Sequence, residues 1–273
     1  MCRVFSVSRS GYYIWRRRPE SRRAIENRRL DAHIRAIYNK SKGRYGSPKI
    51  TDELNDMGFP VSKNRVARRM KEAGIRSIVR RKHRVTTDSK HSYPVADNLL
   101  QRDFTASNPD KIWVSDITYI ATTRGWMYLT VFIDLFSRMV VGWALSSSLS
   151  AEMVLAALQR GIRNRRPGAG LIIHSDRGVQ YACKDFRKVL KKHGFIQSMS
   201  RKGDCWDNAV AESFFGILKT ELVYHERFKG PQETLRALFE YIEVFYNRQR
   251  KHSTLDYKTP AQFEQVMKSA VCF

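Results

Sequence analysis

The sequence predicts an α/β fold: a mixed five-stranded sheet flanked by helices, preceded by a small all-α region with a helix-turn-helix. Three observations support this prediction. From residue 108 onward, short β-rich stretches alternate with helical spacing, which is typical of a layered α/β domain. The first 75 residues show only helical spacing and turn residues, and a basic stretch without periodicity follows them. We therefore expect a basic helical region over 1–75, a basic linker over 76–107 and an α/β core over 108–273.

Turn residues mark two adjacent short helices in the first region. Ser47 and Pro48 suit the N-cap and the first position of a helix that ends before Gly58. Ser62 suits the N-cap of the next helix, which Gly74 closes. Two short helices across a tight turn form a helix-turn-helix pattern. Upstream, helical spacing predicts one helix that begins after Pro19 and helical structure over 31–41.

The second helix of this pair has a basic, amide-bearing surface beside one apolar stripe. Val66 and Met70, four residues apart, would anchor it to the core of the region. Arginine, lysine and asparagine side chains read base edges in a DNA groove, so this helix is a candidate recognition helix. The alternative is an ordinary solvated helix. The candidate DNA-binding residues are Lys63, Asn64, Arg65, Arg68 and Arg69.

In the core region, strand and helix patterns follow one another in a definite order. Three strands come first, with Gly125 at the first hairpin turn. A helix capped at Ser150, a short buried strand, a helix closed by Gly194 and a fifth strand follow, and two longer helices end the pattern. The predicted strands are Lys111–Ile120, Met127–Ile133, Arg138–Leu145, Leu171–His174 and Phe195–Met199; the predicted helices are 150–162, Lys184–His193, 208–223 and 231–249.

The charge balance points to a polyanionic partner. Lysine and arginine number 50 against 26 acidic residues, a formal net charge of +24, and residues 1–93 hold 25 basic and 8 acidic residues. Such an excess destabilises a compact chain unless a polyanion neutralises it, and phosphate contacts would supply the affinity for nucleic acid. No apolar run reaches the ~18 residues of a membrane span, so no membrane partner is expected. The four cysteines form no CxxC pair, which argues against a structural zinc.

Two aspartates occupy positions that propensity disfavours. Asp116 lies in the middle of the first strand, and Asp176 directly follows the fourth strand. Ligands of α/β sheets bind at the carboxyl ends of parallel strands. Two acids on neighbouring strands would repel each other unless a cation lay between them.

A third acid, Glu212, lies on the helix that follows the last strand. Helical spacing puts Asn208, Glu212 and Lys219 on one side of that helix, at the border of its apolar face. Asp204 and Asp207 are nearby acids that could replace Glu212 as the third ligand. Carboxylate oxygens suit Mg²⁺ or Mn²⁺, and two such ions about 4 Å apart can promote displacement at a phosphodiester.

Four motifs surround these residues: WVSDITY at 113–119, HSDRGVQY at 174–181, DNAVAESFF at 207–215 and, near the end, Tyr246-Asn247-Arg248 with Arg250, His252 and Pro260. They resemble the catalytic OrfB subunit of bacterial insertion sequences of the IS3 family, which belongs to the DDE transposases and retroviral-type integrases. Asp176 and Glu212 are separated by 35 residues, the spacing usual in the integrase-like branch. The resemblance covers almost the whole chain.

The resemblance implies an RNase H-like core in which Asp116, Asp176 and Glu212 form the catalytic triad and hold two Mg²⁺ or Mn²⁺ ions per active site. It implies a transposase that cleaves and transfers DNA strands at insertion-sequence ends. His174 and Asn208 are candidates for contacts behind the triad, and Lys219 is a candidate contact to DNA phosphate or a solvated lysine. The implied partners are element and target DNA, the upstream-frame OrfA product or a fusion with it, and further copies of the chain on DNA. The implied location is the bacterial cytoplasm, at the nucleoid.

Two other functions remain open at the level of sequence. An RNase H-like nuclease that only hydrolyses would use the same metal ligands, and a non-catalytic regulator would use only the helix-turn-helix. Retroviral integrases proper are disfavoured because their N-terminal zinc module, with two histidines and two cysteines, has no counterpart in this sequence. The recognised DNA end, the target preference and the stoichiometry are not encoded in any motif.

Overall fold

The computed structural model describes residues 4–78, 94–201 and 205–271. They fall into two compact units, which divide between Ile78 and Val79. The basic run at 80–84 and the competing acid Asp204 lie outside the described residues. The first unit contains four helices among the described residues: α1 (Arg9–Arg17), α2 (Arg22–Lys40), α3 (Ser47–Asp56) and α4 (Lys63–Glu72).

The helix predicted after Pro19 is present as α2, and it includes the helical structure predicted over 31–41. A further helix for which the sequence analysis made no prediction, α1, precedes Pro19. The Ser8 hydroxyl accepts a hydrogen bond from the Gly11 N–H at 2.9 Å and caps α1. The helix ends at Arg17 because a proline disfavours the helical conformation of the residue before it.

The core of the first unit lies among α2, α3 and α4. Its buried apolar side chains are Leu30, Ile34 and Ile37 of α2, Ile50 and Leu54 of α3, and Val66 and Met70 of α4. The predicted inner stripe of the second helix is therefore buried. The N-cap of α3 is Gly46, one residue before the predicted Ser47, so Pro48 occupies the second helical position. Ser62 caps α4 as predicted, accepting a hydrogen bond from the Arg65 N–H at 3.3 Å.

A five-stranded mixed sheet organises the second unit. Its order is β3-β2-β1-β4-β5. Strand β2 pairs antiparallel with both β1 and β3. Strand β4 pairs parallel with β1, and β5 pairs parallel with β4. The strands are β1 (Ile112–Thr122), β2 (Gly125–Asp134), β3 (Val140–Ser146), β4 (Ile172–Ser175) and β5 (Ile196–Met199). All five predicted strands are present.

Helices cover the sheet. They are α5 (Ala151–Arg165), the short α6 (Val179–Ala182), α7 (Lys184–His193), α8 (Ala209–Glu221), α9 (Pro231–Phe239), which continues as a π-helix over Glu240–Tyr246, and α10 (Pro260–Val271). The main core contains Trp113 and Phe132 of the sheet packed against side chains of α5, α6 and α7. Helix α5 lies so close to β3 that a Cβ on Gly142 would be 2.3 Å from the Ala157 carbonyl oxygen.

The end of the chain is tied to the outer strand of the sheet. The Asn247 side chain accepts from the Val140 N–H and donates to the Val140 carbonyl, both at 3.0 Å. It thereby satisfies backbone groups of β3, beside the irregularity where β3 pairs with β2. The helix predicted over 231–249 changes to π geometry from Glu240, and such insertions widen a turn.

The predicted linker over 76–107 is shorter than expected, because the residues from 96 to 100 pack on the second unit. Leu100 is buried, and the Leu99 N–H donates to the Ser198 hydroxyl at 3.0 Å. The Met199 N–H donates to the Asp97 carbonyl at 3.3 Å. This segment therefore covers the β5 side of the sheet. None of the described helices has the length and apolar character needed to cross a membrane.

Candidate active site

The strand register brings Asp116 and Asp176 side by side. Strands β1 and β4 pair in parallel, with Val114 opposite His174. Continuing that register by two residues puts Asp116 beside Asp176, at the point where β4 has just ended. The Asp116 carboxylate accepts the Ile117 N–H at 2.8 Å, and that of Asp176 accepts the Gly178 N–H at 3.0 Å. Both side chains are partly exposed.

A buried hydroxyl pair lies next to the two aspartates. The Ser115 and Tyr181 hydroxyls are 2.8 Å apart, and both residues are fully buried. Burial raises the pKa of Tyr181 well above its usual value, and the charges of Asp176 and Asp116 raise it further. Tyr181 therefore stays a neutral phenol near the carboxylates.

Helix α8 carries Glu212 in its first turn and packs against β1. The Glu212 side chain is exposed. Asn208, directly before α8, donates its amide N–H to the Ser115 carbonyl at 3.2 Å. This hydrogen bond ties the start of the helix to the residue before Asp116. Asn208 is buried and its amide oxygen accepts no hydrogen bond within the described part of the chain.

Electrostatics join the three acids and Lys219. Burial raises the pKa of Asp116 well above its ordinary value, and the charge of Asp176 and, more weakly, that of Glu212 add to the rise. The Ile117 N–H and the charge of Lys219 oppose it. Burial lowers the pKa of the Lys219 ammonium, against the effect of the Asp116 charge. Lys219 thus faces the acids rather than only solvent.

The carboxylate oxygens of these acids are suitable ligands for a hard divalent cation. Each acid disfavours the ionisation of its neighbour, and a cation would remove that penalty. No three His, Cys, Asp or Glu side chains are already grouped as metal ligands in the ranges that the structure describes. Glu212 is exposed and has a flexible side chain, so its carboxylate can move relative to the two strand aspartates without unfolding α8.

His174 and Asp207 hold the loop that leads to α8. The two ring nitrogens of His174 lie 2.8 Å from the Ser198 hydroxyl and 2.9 Å from the Asp207 carbonyl oxygen. Burial lowers the pKa of His174. The contacts of His174 therefore support this loop, and through it the position of α8.

Asp207, one of the acids considered in place of Glu212, is engaged by arginines. Its carboxylate accepts from the Arg201 guanidinium at 3.0 and 3.1 Å and from the Arg201 N–H at 2.8 Å. The Asn98 amide donates to it at 2.8 Å, and Arg102 lies 3.5 Å away. The Arg201 hydrogen bonds and the Arg102 charge outweigh burial and lower the pKa of Asp207 to about 2. Asp207 therefore acts as an ion-paired anchor.

Asp134 is the last residue of β2, and its side chain contacts the turn that follows. Its carboxylate accepts the Asp110 and Ser137 N–H groups, each at 3.0 Å, and the Ser137 hydroxyl at 2.9 Å. Burial raises its pKa to about 6, although these hydrogen bonds oppose the rise. Two of its three donors belong to Ser137, in the turn that follows β2, so the Asp134 carboxylate stabilises that turn.

The predicted DNA-binding residues of α4 divide into two groups. Arg65 donates to Asn27 at 3.0 Å, and Arg69 pairs with Asp31, its Nε donating at 2.8 Å. These contacts hold α4 against α2. Lys63, Asn64 and Arg68 are exposed.

The exposed face of α4 runs along one helical stripe, Asn64, Ala67, Arg68 and Lys71, on the side away from Val66 and Met70. We call it the outward stripe. It has the side chains that a groove-reading helix needs, with a small alanine that permits close approach. The DNA contacts of Arg65 and Arg69 stay predictions, and would require exchange of their present ion pairs.

Comparisons with known proteins agree with this arrangement. Residues 106–205 and 212–267 match models described as integrase core domain, and residues 24–83 match an HTH-like domain. An insertion element IS600 uncharacterized 31 kDa protein of Shigella sonnei is 43% identical over 265 residues, which cover 97% of each chain. The transposase InsF for insertion sequence IS3A of Escherichia coli (strain K12) is 42% identical over 266 residues, 97% of this chain and 92% of InsF. The chain belongs to the IS3 family of transposases.

As a member of the IS3 family, the protein is a DDE integrase-type transposase for an insertion sequence, with an HTH-like domain that binds DNA. A solved structure supports the fold. One chain of the simian T-cell lymphotropic virus intasome, in complex with PP2A regulatory subunit B56 gamma, has a TM-score of 0.50 and 17% identity, covering 85% of this chain and 74% of that one. The mixed sheet is therefore integrase-core-like, and the N-terminal unit is HTH-like, as predicted.

The sequence analysis missed a buried network in the C-terminal motif of this transposase. The Arg250 guanidinium donates to the Glu221 carboxylate at 2.8–3.1 Å, and the Tyr241 hydroxyl donates to it at 2.8 Å. The sequence analysis named Arg250 only as part of that motif. The only sequence signal was the motif itself, because the partner Glu221 lies 29 residues away.

Proposed function

We propose that Asp116, Asp176 and Glu212 form the catalytic site at which this transposase cleaves and transfers DNA strands. One observation carries the proposal: the register of β1 and β4 aligns the two aspartates beneath a helix whose acid and lysine both act on the pKa of Asp116. A strand acid whose pKa is raised by the charges of neighbouring acids, close to the carboxyl end of a parallel strand, is typical of a functional site.

The acids would hold two Mg²⁺ or Mn²⁺ ions, because carboxylate oxygens are the ligands that these ions prefer. When bound, the ions would activate the attacking oxygen and stabilise the leaving oxygen of a phosphodiester. Asp116 and Asp176 would supply the fixed ligands, since Asp116 is on β1, Asp176 directly follows β4, and each accepts a backbone N–H. Glu212 would supply a movable ligand from the first turn of α8.

Residues around the triad would keep it in place. Asn208 and His174 tie the loop before α8 to β1 and β4, and so limit where Glu212 can move. Lys219, partly buried and close enough to influence Asp116, would neutralise part of the anionic charge and contact a phosphate near the reacting bond. The outward stripe of α4 would read the element end, with Asn64 and Arg68 facing base edges.

Single-residue variants test the triad. Asp116→Asn, Asp176→Asn and Glu212→Gln should each lower strand cleavage and strand transfer by several orders of magnitude in Mg²⁺, measured on a duplex with the sequence of the element's own end. Asp185→Asn is the matched control, because Asp185 is an exposed acid on α7 paired with Lys188. Full strand transfer by the Glu212→Gln protein would remove Glu212 from the site.

The same assay separates the alternative functions. Cleavage without strand transfer by the wild-type protein would favour the hydrolytic nuclease. Full biological effect of all three triad variants would favour the non-catalytic regulator. Counting metal ions by titration calorimetry in the presence of DNA tests the stoichiometry of two.

The proposed partners are the upstream-frame OrfA product, or a fusion with it, and further copies of this chain assembled on element and target DNA. The family resemblance supports both, and the +24 charge supports DNA as the scaffold on which they assemble, at the bacterial nucleoid in the cytoplasm. Light scattering of the protein with and without an end duplex, and co-purification with co-expressed OrfA, test them. A strictly monomeric complex with DNA would contradict the homo-oligomer.

A further inference from the structure

A polar cleft lies beside the candidate active site. Its volume is about 710 Å³, within the range of roughly 300–1,000 Å³ that is usual for ligand sites. One wall is the segment 95–102, which packs on the β5 side of the sheet. The opposite wall carries Arg177 and Arg201. We call it the arginine cleft, because Arg102, Arg177 and Arg201 line it.

Two of these arginines are held by the same buried carboxylate. Asp207, whose side chain is fully buried, lies 3.0 Å from Arg201 and 3.5 Å from Arg102. The side chains of Arg102 and Arg201 are nevertheless 50% and 54% exposed. Their guanidinium groups are therefore fixed from below and accessible from the cleft. Fixing them in advance reduces the entropy that a ligand must pay to order them.

The third arginine connects the cleft to the candidate catalytic acids. Arg177 directly follows Asp176, and its Nε donates to the Ser200 carbonyl at 2.7 Å. The arginine cleft therefore begins one residue away from a proposed metal ligand. Asp97 also lines the cleft.

We propose that the arginine cleft binds a backbone phosphodiester of the DNA strand close to the bond that is cut. Guanidinium groups present planar forks of N–H donors that match phosphate oxygens, and such charge-assisted hydrogen bonds are stronger than neutral ones. The inference rests on the proposed function for the identity of the strand, but its test measures DNA binding and requires no cleavage.

The salt dependence of DNA affinity tests the proposal. On duplex DNA the slope of log affinity against log salt concentration is about −0.9 per phosphate neutralised. Arg102→Gln in the full-length protein should therefore make the slope shallower by about 0.9, measured by fluorescence anisotropy with a labelled duplex of arbitrary sequence and no divalent metal. Arg102→Lys, which keeps the charge, should restore it. Arg163→Gln is the matched control: Arg163 is exposed on α5, which packs in the core with α7.

Several outcomes would overturn the proposal. One is an unchanged slope for Arg102→Gln; another is an equal change for Arg163→Gln. In a third, calorimetry shows that the wild-type protein binds inorganic phosphate and that Arg102→Gln abolishes this binding, while the salt slope for DNA stays unchanged. The cleft would then be a site for the free ion. Failure of the proposed function would be seen in a different measurement. The wild-type protein would not transfer strands, but the comparison of salt slopes between the variants would still be valid. Thermal melting of each variant checks that it is folded.

Discussion

Arg250 provides a direct test of whether the C-terminal motif of the transposase serves the fold or contacts DNA. Its guanidinium makes three hydrogen bonds of 2.8–3.1 Å to Glu221, and the two side chains are only 8% and 10% exposed. Arg250→Met would leave the buried Glu221 carboxylate without its arginine partner, although the Tyr241 hydroxyl would still donate to it. Breaking a buried pair in this way costs about 3–5 kcal/mol.

The expected consequence is a less stable catalytic unit with unchanged DNA contacts. At about 2–4 °C per kcal/mol for a domain of 150–250 residues, the melting temperature should fall by roughly 6–20 °C in calorimetry. The salt slope of DNA affinity should not change below the melting transition. The matched control is Arg248→Met, since Arg248 is exposed two residues away and its loss should change stability by no more than about 0.5 kcal/mol.

A double variant separates the buried charge from the loss of side-chain volume. Glu221→Met combined with Arg250→Met removes both charges, and apolar replacement of a buried ion pair is often neutral or stabilising. It should therefore melt above the Arg250→Met protein. The reasoning is refuted if Arg250→Met melts within about 2 °C of the wild-type protein, less than 1 kcal/mol by the same conversion, while its salt slope becomes shallower by about 0.9. That result would make Arg250 a DNA contact.

Three further predictions follow from single contacts. Gly142→Ala should destabilise the catalytic unit by about 3 kcal/mol or more, seen by urea unfolding, because the added Cβ would be 2.3 Å from the Ala157 carbonyl oxygen. The folded-state pKa of Asp207, about 2, lies below its unfolded value of 3.8. The free energy of unfolding of the wild-type protein should therefore fall by about 2 kcal/mol as pH drops from about 4 to about 2, and an acid titration of the Asp207→Asn protein should not show this loss. Arg68→Ala should weaken DNA binding without a change in melting temperature, whereas Arg69→Ala should lower the melting temperature of the N-terminal unit.

The sequence predicted those parts of the fold that depend on local patterns. All five strands were predicted because β-rich apolar runs and the turn residues that bound them are visible within a short window. The N-cap at Ser62 and the inner stripe of Val66 and Met70 followed from the same local rules. From the sequence, the proximity of Asp116 and Asp176 could be inferred only from the general rule that ligands bind at the carboxyl ends of parallel strands. No local pattern specifies which strands are neighbours.

Contacts between residues distant in the chain could not be predicted in this way. Asn98 reaches Asp207 across 109 residues, and Asn247 reaches Val140 across 107. In the sequence each of these polar residues resembles a loop or surface residue, because its partner lies on another element. For the same reason, the contact between Arg69 and Asp31, which lies 38 residues earlier on α2, could not be predicted. The DNA contact of Arg69 stays a prediction.

The partners of each acid explain why the structure distinguishes acids that the sequence left competing. Asp207, one of these acids, is surrounded by arginines that lower its pKa. Its charge is thus stabilised within the chain, so a metal ion would have to displace existing donors. Asp116 instead faces Asp176 and Glu212, whose charges raise its pKa. A site in which neighbouring acids raise the pKa of a carboxyl group gains most from a cation, which favours Asp116 and its two neighbours over Asp207 as the metal ligands.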